Sequence, residues 1–126
     1  MLTHITIGFD NVEEARAFYD HIMEPLGYSR AMDHGDMSAY GPDGGRPQFM
    51  ILKPRDGNPA SSANGGTIGL IAPNRASVDE FHRRALEKGG MDEGAPGPRP
   101  FGENIYAAYI RDIGGHKVCA VCSTAE

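Results

Sequence analysis

The stretch Leu2-Thr3-His4-Ile5-Thr6-Ile7-Gly8-Phe9-Asp10-Asn11-Val12-Glu13-Glu14-Ala15-Arg16-Ala17-Phe18-Tyr19 changes its hydrophobic period partway along. From Leu2 to Phe9, the residues Ile5, Ile7 and Phe9 alternate with His4, Thr6 and Gly8, as in a half-buried strand. Beyond Asn11, the residues Val12, Ala15, Phe18, Tyr19, Ile22 and Met23 fall on one helical stripe. Asn11 offers an N-cap, with Glu14 at the capping-box position three residues on. Pro25 and Gly27 stop the helix.

Working outward, three strands are expected at Tyr28 to Asp33, Met37 to Tyr40 and Gln48 to Lys53, with turns at Gly35 and Asp43-Gly44-Gly45. The stretch Arg55 to Gly66 reads as a flexible loop, and after it the pattern restarts. Thr67 to Ile71 reads as a strand. Ser77-Val78-Asp79-Glu80 forms a capping box, and Val78, Phe81, Ala85 and Leu86 form the stripe of a helix ended by Gly89-Gly90. A short strand near Met91 to Glu93, a proline-rich loop over Ala95 to Pro100, and strands at Ile105 to Arg111 and Lys117 to Cys122 follow.

The second half therefore repeats the first. Tyr40, Asp43 and Gly45 recur as Tyr109, Asp112 and Gly114, each 69 residues later. The caps Asn11 and Ser77 are 66 apart, and the strand openings His4 and Thr67 are 63 apart, a drift that loop-length changes produce. Each βαβββ copy exposes an apolar sheet face that it cannot bury alone. The fold class is thus α+β: one domain over residues 1–126, with modules at about 1–54 and 66–126 joined by a flexible loop. Edge-to-edge pairing of the modules would give a curved mixed sheet of about eight strands around a cleft, with the helices outside.

Composition narrows the function. The 126 residues carry 12 Lys and Arg against 17 Asp and Glu, for a net charge of −5, and no basic cluster exceeds Arg83-Arg84, so a nucleic-acid partner is not expected. No run of apolar residues is long enough for a membrane span, and His4 and Asp10 interrupt any leader-like start, so a cytoplasmic location is expected. Cys119 and Cys122 have C-x-x-C spacing, but they lie in an extended run where residues three apart face opposite ways. Redox pairs instead open a helix. No nucleophile elbow, phosphate-binding glycine loop or dinucleotide fingerprint is present; Gly65-Gly66-Thr67 leads into a strand.

His4 to Val12, followed by Arg16-Ala17-Phe18-Tyr19 and Pro25-Leu26-Gly27-Tyr28, resembles the opening of many glyoxalase-like proteins. Arg111-Asp112-Ile113-Gly114-Gly115-His116-Lys117-Val118 resembles their closing turn and strand. Gly94 to Phe101, with Ala107-Ala108-Tyr109, is similar to one bacterial subgroup. The resemblance covers essentially the whole chain and is to the glyoxalase/bleomycin-resistance/dioxygenase (vicinal oxygen chelate) superfamily. It implies the fold described above. In metal-dependent members, it implies four inward-facing side chains holding a divalent ion that chelates two neighbouring substrate oxygens.

Carried over residue by residue, those four positions are His4, Met50, Thr67 and Cys119. Only His4 has a donor of the family's type, and where the metalloenzymes carry a glutamate this chain has Cys119. Thioether, hydroxyl and thiol do not replace two carboxylates and a second imidazole for hard divalent ions. Zinc with His4 and Cys119 would be one protein ligand short of a catalytic site. The expectation is therefore no metal and no other cofactor, with a divalent ion kept as the alternative. Copper(I) on His4, Met50 and Cys119 is a chemically allowed variant.

The residues expected around the ligand are His4, Phe49, Met50, Thr67, Arg99, Phe101, Tyr106 and Cys119. Arg99, in a proline-stiffened loop, and Arg111 are the expected anchors for an anionic group. Ordinary packing is the competing reading for the aromatics and for His4. His21 and His82 are read as solvated, His34 and His116 as turn residues, and Cys119 as a buried hydrophobe rather than a nucleophile. Two functions follow from the resemblance. One is a small-molecule-binding protein with a degenerate metal site; the other is a metal-dependent lyase or dioxygenase-type enzyme. A homodimer is implied as well.

Overall fold

A computed structural model describes residues 1–126. The first module runs β1 (Ile5–Gly8), α1 (Val12–Met23), a single 3-10 turn (Glu24–Leu26), β2 (Tyr28–His34), β3 (Met37–Pro42) and β4 (Phe49–Leu52). The second runs β5 (Ile68–Ile71), α2 (Arg75–Glu87), β6 (Met91–Pro98), β7 (Tyr106–Arg111) and β8 (Lys117–Cys122). The two sheets have matching orders, β1-β4-β3-β2 and β5-β8-β7-β6. The β1–β4 and β5–β8 pairs are parallel and the others antiparallel, because the helix returns the chain to the same side before the three-strand meander.

The α+β class and the duplicated βαβββ module are thus present, and the structure refines how the modules meet. The eight strands form two four-stranded sheets, and β1 and β5 each remain an edge. The continuous eight-stranded sheet expected from edge-to-edge pairing is not made within the chain. Instead α1 packs on α2, and one apolar cluster draws on both modules. Tyr19, Phe49 and Ile51 enter it from the first module, and Phe81, Ile110, Val118 and Cys122 from the second.

Local chemistry explains most element boundaries. Asn11 caps α1 by accepting from the Glu14 N–H, and every residue of the expected stripe is buried. Gly27 ends the 3-10 turn at φ 82, a left-handed conformation that costs glycine little. The cap of α2 is Asn74 rather than Ser77: its side chain accepts from the Ser77 N–H at 2.8 Å, so the helix starts nearly one turn earlier. Asn74 follows Asn11 by 63 residues, as β5 follows β1, which tightens the repeat. Leu86, assigned to the buried stripe, is exposed, and His82 is buried in its place. Strand β6 runs through the presumed proline loop to Pro98. Its prolines are tolerated because it is an edge strand, and Gly94, at φ 157, sits in a bulge.

Candidate functional site

Alternation sorts each sheet into two faces. Ile5, Ile7, Phe49, Ile51, Ile68, Leu70, Ala108, Ile110, Val118, Ala120 and Cys122 all pack with the common core. The positions between them, among them Thr6, Met50, Gly69, Tyr109 and Cys119, therefore stand on the opposite faces. Cys119 and Cys122 are both free thiols and face opposite ways, as the extended run required.

The eight expected ligand residues do not all meet. A cavity of about 460 Å³ lies at the seam between the modules and brings together His4, Phe49 and Thr67. Met50, Arg99, Phe101, Tyr106 and Cys119 do not line it. Phe49 packs at a tilt on Tyr19, with ring centroids 4.9 Å apart, on the face away from Met50. Tyr106 turns its hydroxyl to Asp79 of α2 at 2.6 Å, while the Arg75 guanidinium lies over its ring. It is therefore committed to the helix side and not to a site shared with Cys119. Phe101 is 75% exposed in the β6–β7 loop.

The two expected anion anchors are already engaged. Arg111 pairs with Glu93 at 3.0 Å and donates to the Gly115 carbonyl. Arg99 donates to the carbonyls of Ala95, Gly97 and Pro98 and stacks over Tyr109. The residue that sequence reasoning missed is Arg46. It lines the seam cavity with no ion pair and no side-chain hydrogen bond, and no acidic side chain lines that cavity. Its one sequence signal was its position between the Asp43-Gly44-Gly45 turn and Pro47, at the entry to β4.

The walls of the cavity follow from the two edge strands. His4 and Ile5 come from β1 and its approach, and Thr67 to Ile71 from β5. Met23, Tyr28, Tyr40 and Phe49 supply an apolar floor. The tyrosine hydroxyls are already used: Tyr28 donates to the Ile71 carbonyl at 2.6 Å, bridging the modules, and Tyr40 donates to Asp20 at 2.8 Å. Burial and the neighbouring Asp20 raise the Tyr40 phenol far above its ordinary range, so it stays protonated.

The four positions carried over for a metal do not form a suitable donor set. His4 is exposed, with Nδ1 2.9 Å from the Thr3 hydroxyl. Cys119 is 4% exposed, and burial raises its thiol pKa, partly offset by Lys117, which works against the thiolate a metal would need. No three His, Cys, Asp or Glu side chains gather anywhere in the structure in a way that could hold an ion.

Other polar groups are structural. Asp112 is buried and accepts from the Tyr19 hydroxyl at 2.5 Å and from the backbone N–H groups of Gly114 and His116. His116, read as a turn residue, is buried, and its Nε2 lies 2.8 Å from the Gly8 carbonyl. His82, read as solvated, instead pairs with Asp92 at 2.8 Å, where β6 comes alongside α2.

With this geometry in hand, the comparisons with known proteins agree on the family. Residues 1–120 match the model of the Glyoxalase/Bleomycin resistance protein/Dioxygenase superfamily, and the chain belongs to that superfamily. A solved glyoxalase/bleomycin resistance protein from Albidiferax ferrireducens T118 is 31% identical; the match covers 98% of this chain and 99% of that one, with a TM-score of 0.89. A superfamily member from Sphaerobacter thermophilus DSM 20745 shares the fold at 22% identity, over 97% and 96% of the two chains, with a TM-score of 0.63. A glyoxalase-related enzyme from Fulvimarina pelagi does so at 16% identity, over 97% and 87%, with a TM-score of 0.72. No curated protein matches the sequence. No helix is long and apolar enough to cross a membrane.

Proposed function

We propose that the protein is a cytoplasmic small-molecule-binding member of its superfamily that works without the divalent ion or any other cofactor. The observation that carries this reading is the seam cavity. At about 460 Å³, with a largely apolar lining and a few polar groups at its rim, it has the size and character of a ligand site. The donor chemistry of His4, Met50, Thr67 and Cys119 supports the second half of the proposal, since one imidazole and one buried thiol are too few for a catalytic ion.

The test combines elemental analysis of the purified protein with thermal-shift screening of small molecules in the presence and absence of Mn²⁺, Ni²⁺, Zn²⁺ and Fe²⁺. Metal-independent stabilisation by organic ligands is expected. One tightly held divalent ion per chain, together with metal-dependent turnover of hemithioacetals or catechols, would establish the alternative of a lyase or dioxygenase-type enzyme.

A homodimer is proposed on a separate observation: Ile71, on the open edge of β5, is 76% exposed at the cavity lip. That side chain stands out from the sheet face, so a second copy can cover it and leave the edge amides of β5 open. Light scattering should give twice the chain mass, and Ile71→Glu should return the mass of one chain.

A further inference from the structure

The seam cavity carries one charge and leaves it unanswered. Arg46 is an exposed cation at the rim of a mostly apolar cavity, in a chain that has five more acidic than basic side chains. Its guanidinium keeps all five N–H donors free for a ligand. Five other arginines are already closed on carboxylates: Arg16 on Glu13, Arg30 on Asp20, Arg83 and Arg84 on Glu80, and Arg111 on Glu93.

The strand edge adds a second kind of donor. In the parallel β5–β8 pair, the Ala72 N–H bonds to Val121, whereas the Ile71 carbonyl turns outward to the Tyr28 hydroxyl. Neighbouring residues of a strand direct their backbone groups to opposite sides, so the N–H groups of Gly69 and Ile71 face the open edge. Gly69 lines the cavity and has no side chain to shield its amide.

We propose that the cavity selects an amphiphilic carboxylate, with its planar apolar body on the floor of Met23 and Phe49 and its carboxylate on Arg46 and the free amides of the β5 edge. The proposal rests on the cavity being the ligand site. The volume is that of roughly fifteen waters, room for a body about the size of a two-ring aromatic acid.

The probe is 2-naphthoate, with neutral 2-naphthamide of nearly the same shape as its partner. The chain has no tryptophan, so the naphthyl fluorescence can be excited beyond the tyrosine band without tryptophan background. The full-length protein should bind the acid about tenfold or more tightly than the amide, the difference a charged hydrogen bond supplies. Added salt should shrink that preference. Arg46→Gln should cut the preference to below about threefold, through weaker binding of the acid, whereas Arg55→Gln, an exposed cation away from the cavity, should leave the preference intact. Equal affinity for acid and amide in the unaltered protein, or a preference undiminished by Arg46→Gln, overturns the anion assignment and leaves the cavity standing as the ligand site. Binding of neither probe, with no thermal shift from any organic ligand, overturns both.

Discussion

Tyr19→Phe removes one oxygen from a buried bond that ties the first module to the second. The Tyr19 hydroxyl donates to Asp112 at 2.5 Å, and its ring packs edgewise on Phe9 and Phe18 and at a tilt on Phe49; the substitution keeps those contacts. Asp112 is then left buried with only the Gly114 and His116 N–H groups as donors. A hydrogen bond to a buried carboxylate contributes about 2 kcal/mol, which for a chain of this length lowers Tm by about 8 °C. The deficit should depend on pH. Burial raises the Asp112 pKa above the ordinary carboxylate range, while Tyr19 and the backbone donors pull it partly back. With a raised folded-state pKa, the carboxyl's contribution is fully present below about pH 4, where the unfolded chain also protonates, and declines as pH rises through the folded value. Deleting the hydroxyl raises that value further and deepens the decline. The Tm difference between the two proteins, measured by calorimetry at pH 4.5 and pH 7, should therefore be larger at pH 7. A difference under about 2 °C at pH 7, or one that does not shrink toward acid pH, refutes the coupling.

Other outcomes test separate parts of the fold. Asn74→Ala should destabilise by about 1 kcal/mol in chemical denaturation, and Ser77→Ala by less, because Asn74 is the acceptor that caps α2. Gly90→Ala places a methyl 2.8 Å from the Ala85 carbonyl and 3.0 Å from that of Arg111, and should cost about 2 kcal/mol by the same measurement. Gly69→Ala meets only the Cys119 Sγ at 3.5 Å and should be nearly neutral. Both thiols should react with a thiol reagent at pH 7 at least about tenfold more slowly in the native protein than in guanidinium, since both are buried and burial raises the Cys119 pKa.

The sequence was most readable where a pattern depends on the chain's own neighbours. The α1 stripe from Val12 to Met23 is buried throughout because a 3.6-residue period and an asparagine cap are local facts. The second cap was ambiguous, since Asn74 and Ser77 both suit that position and only the path of the chain out of β5 decides between them. The prolines near Pro98 hid a strand, because their missing N–H is harmful only inside a sheet and β6 lies at an edge. His82 looked solvated because Asp92, its partner, comes from the next strand, after the helix has ended.

The candidate site was harder to read for a related reason. The carry-over of four metal positions chose residues by register, and register determines which face of its own sheet a side chain occupies. It does not determine how two sheets meet. Because β1 and β5 remain edges, the open cavity lies where they approach, and it is lined by core-facing Phe49 together with His4 and Thr67. Arg99 and Arg111 drew attention as arginines in loops and turns, yet each is satisfied by groups close to it in the fold, the carbonyls of β6 and Glu93. Arg46 drew none, because what distinguishes it is the absence of any partner in a cavity whose far wall, β5, lies more than 20 residues further along the chain. A cation kept free beside an apolar floor costs little in water and gains most when an anion arrives with an apolar body. On the proposed reading, ligand selectivity therefore rests on a group that nothing else in the structure needs.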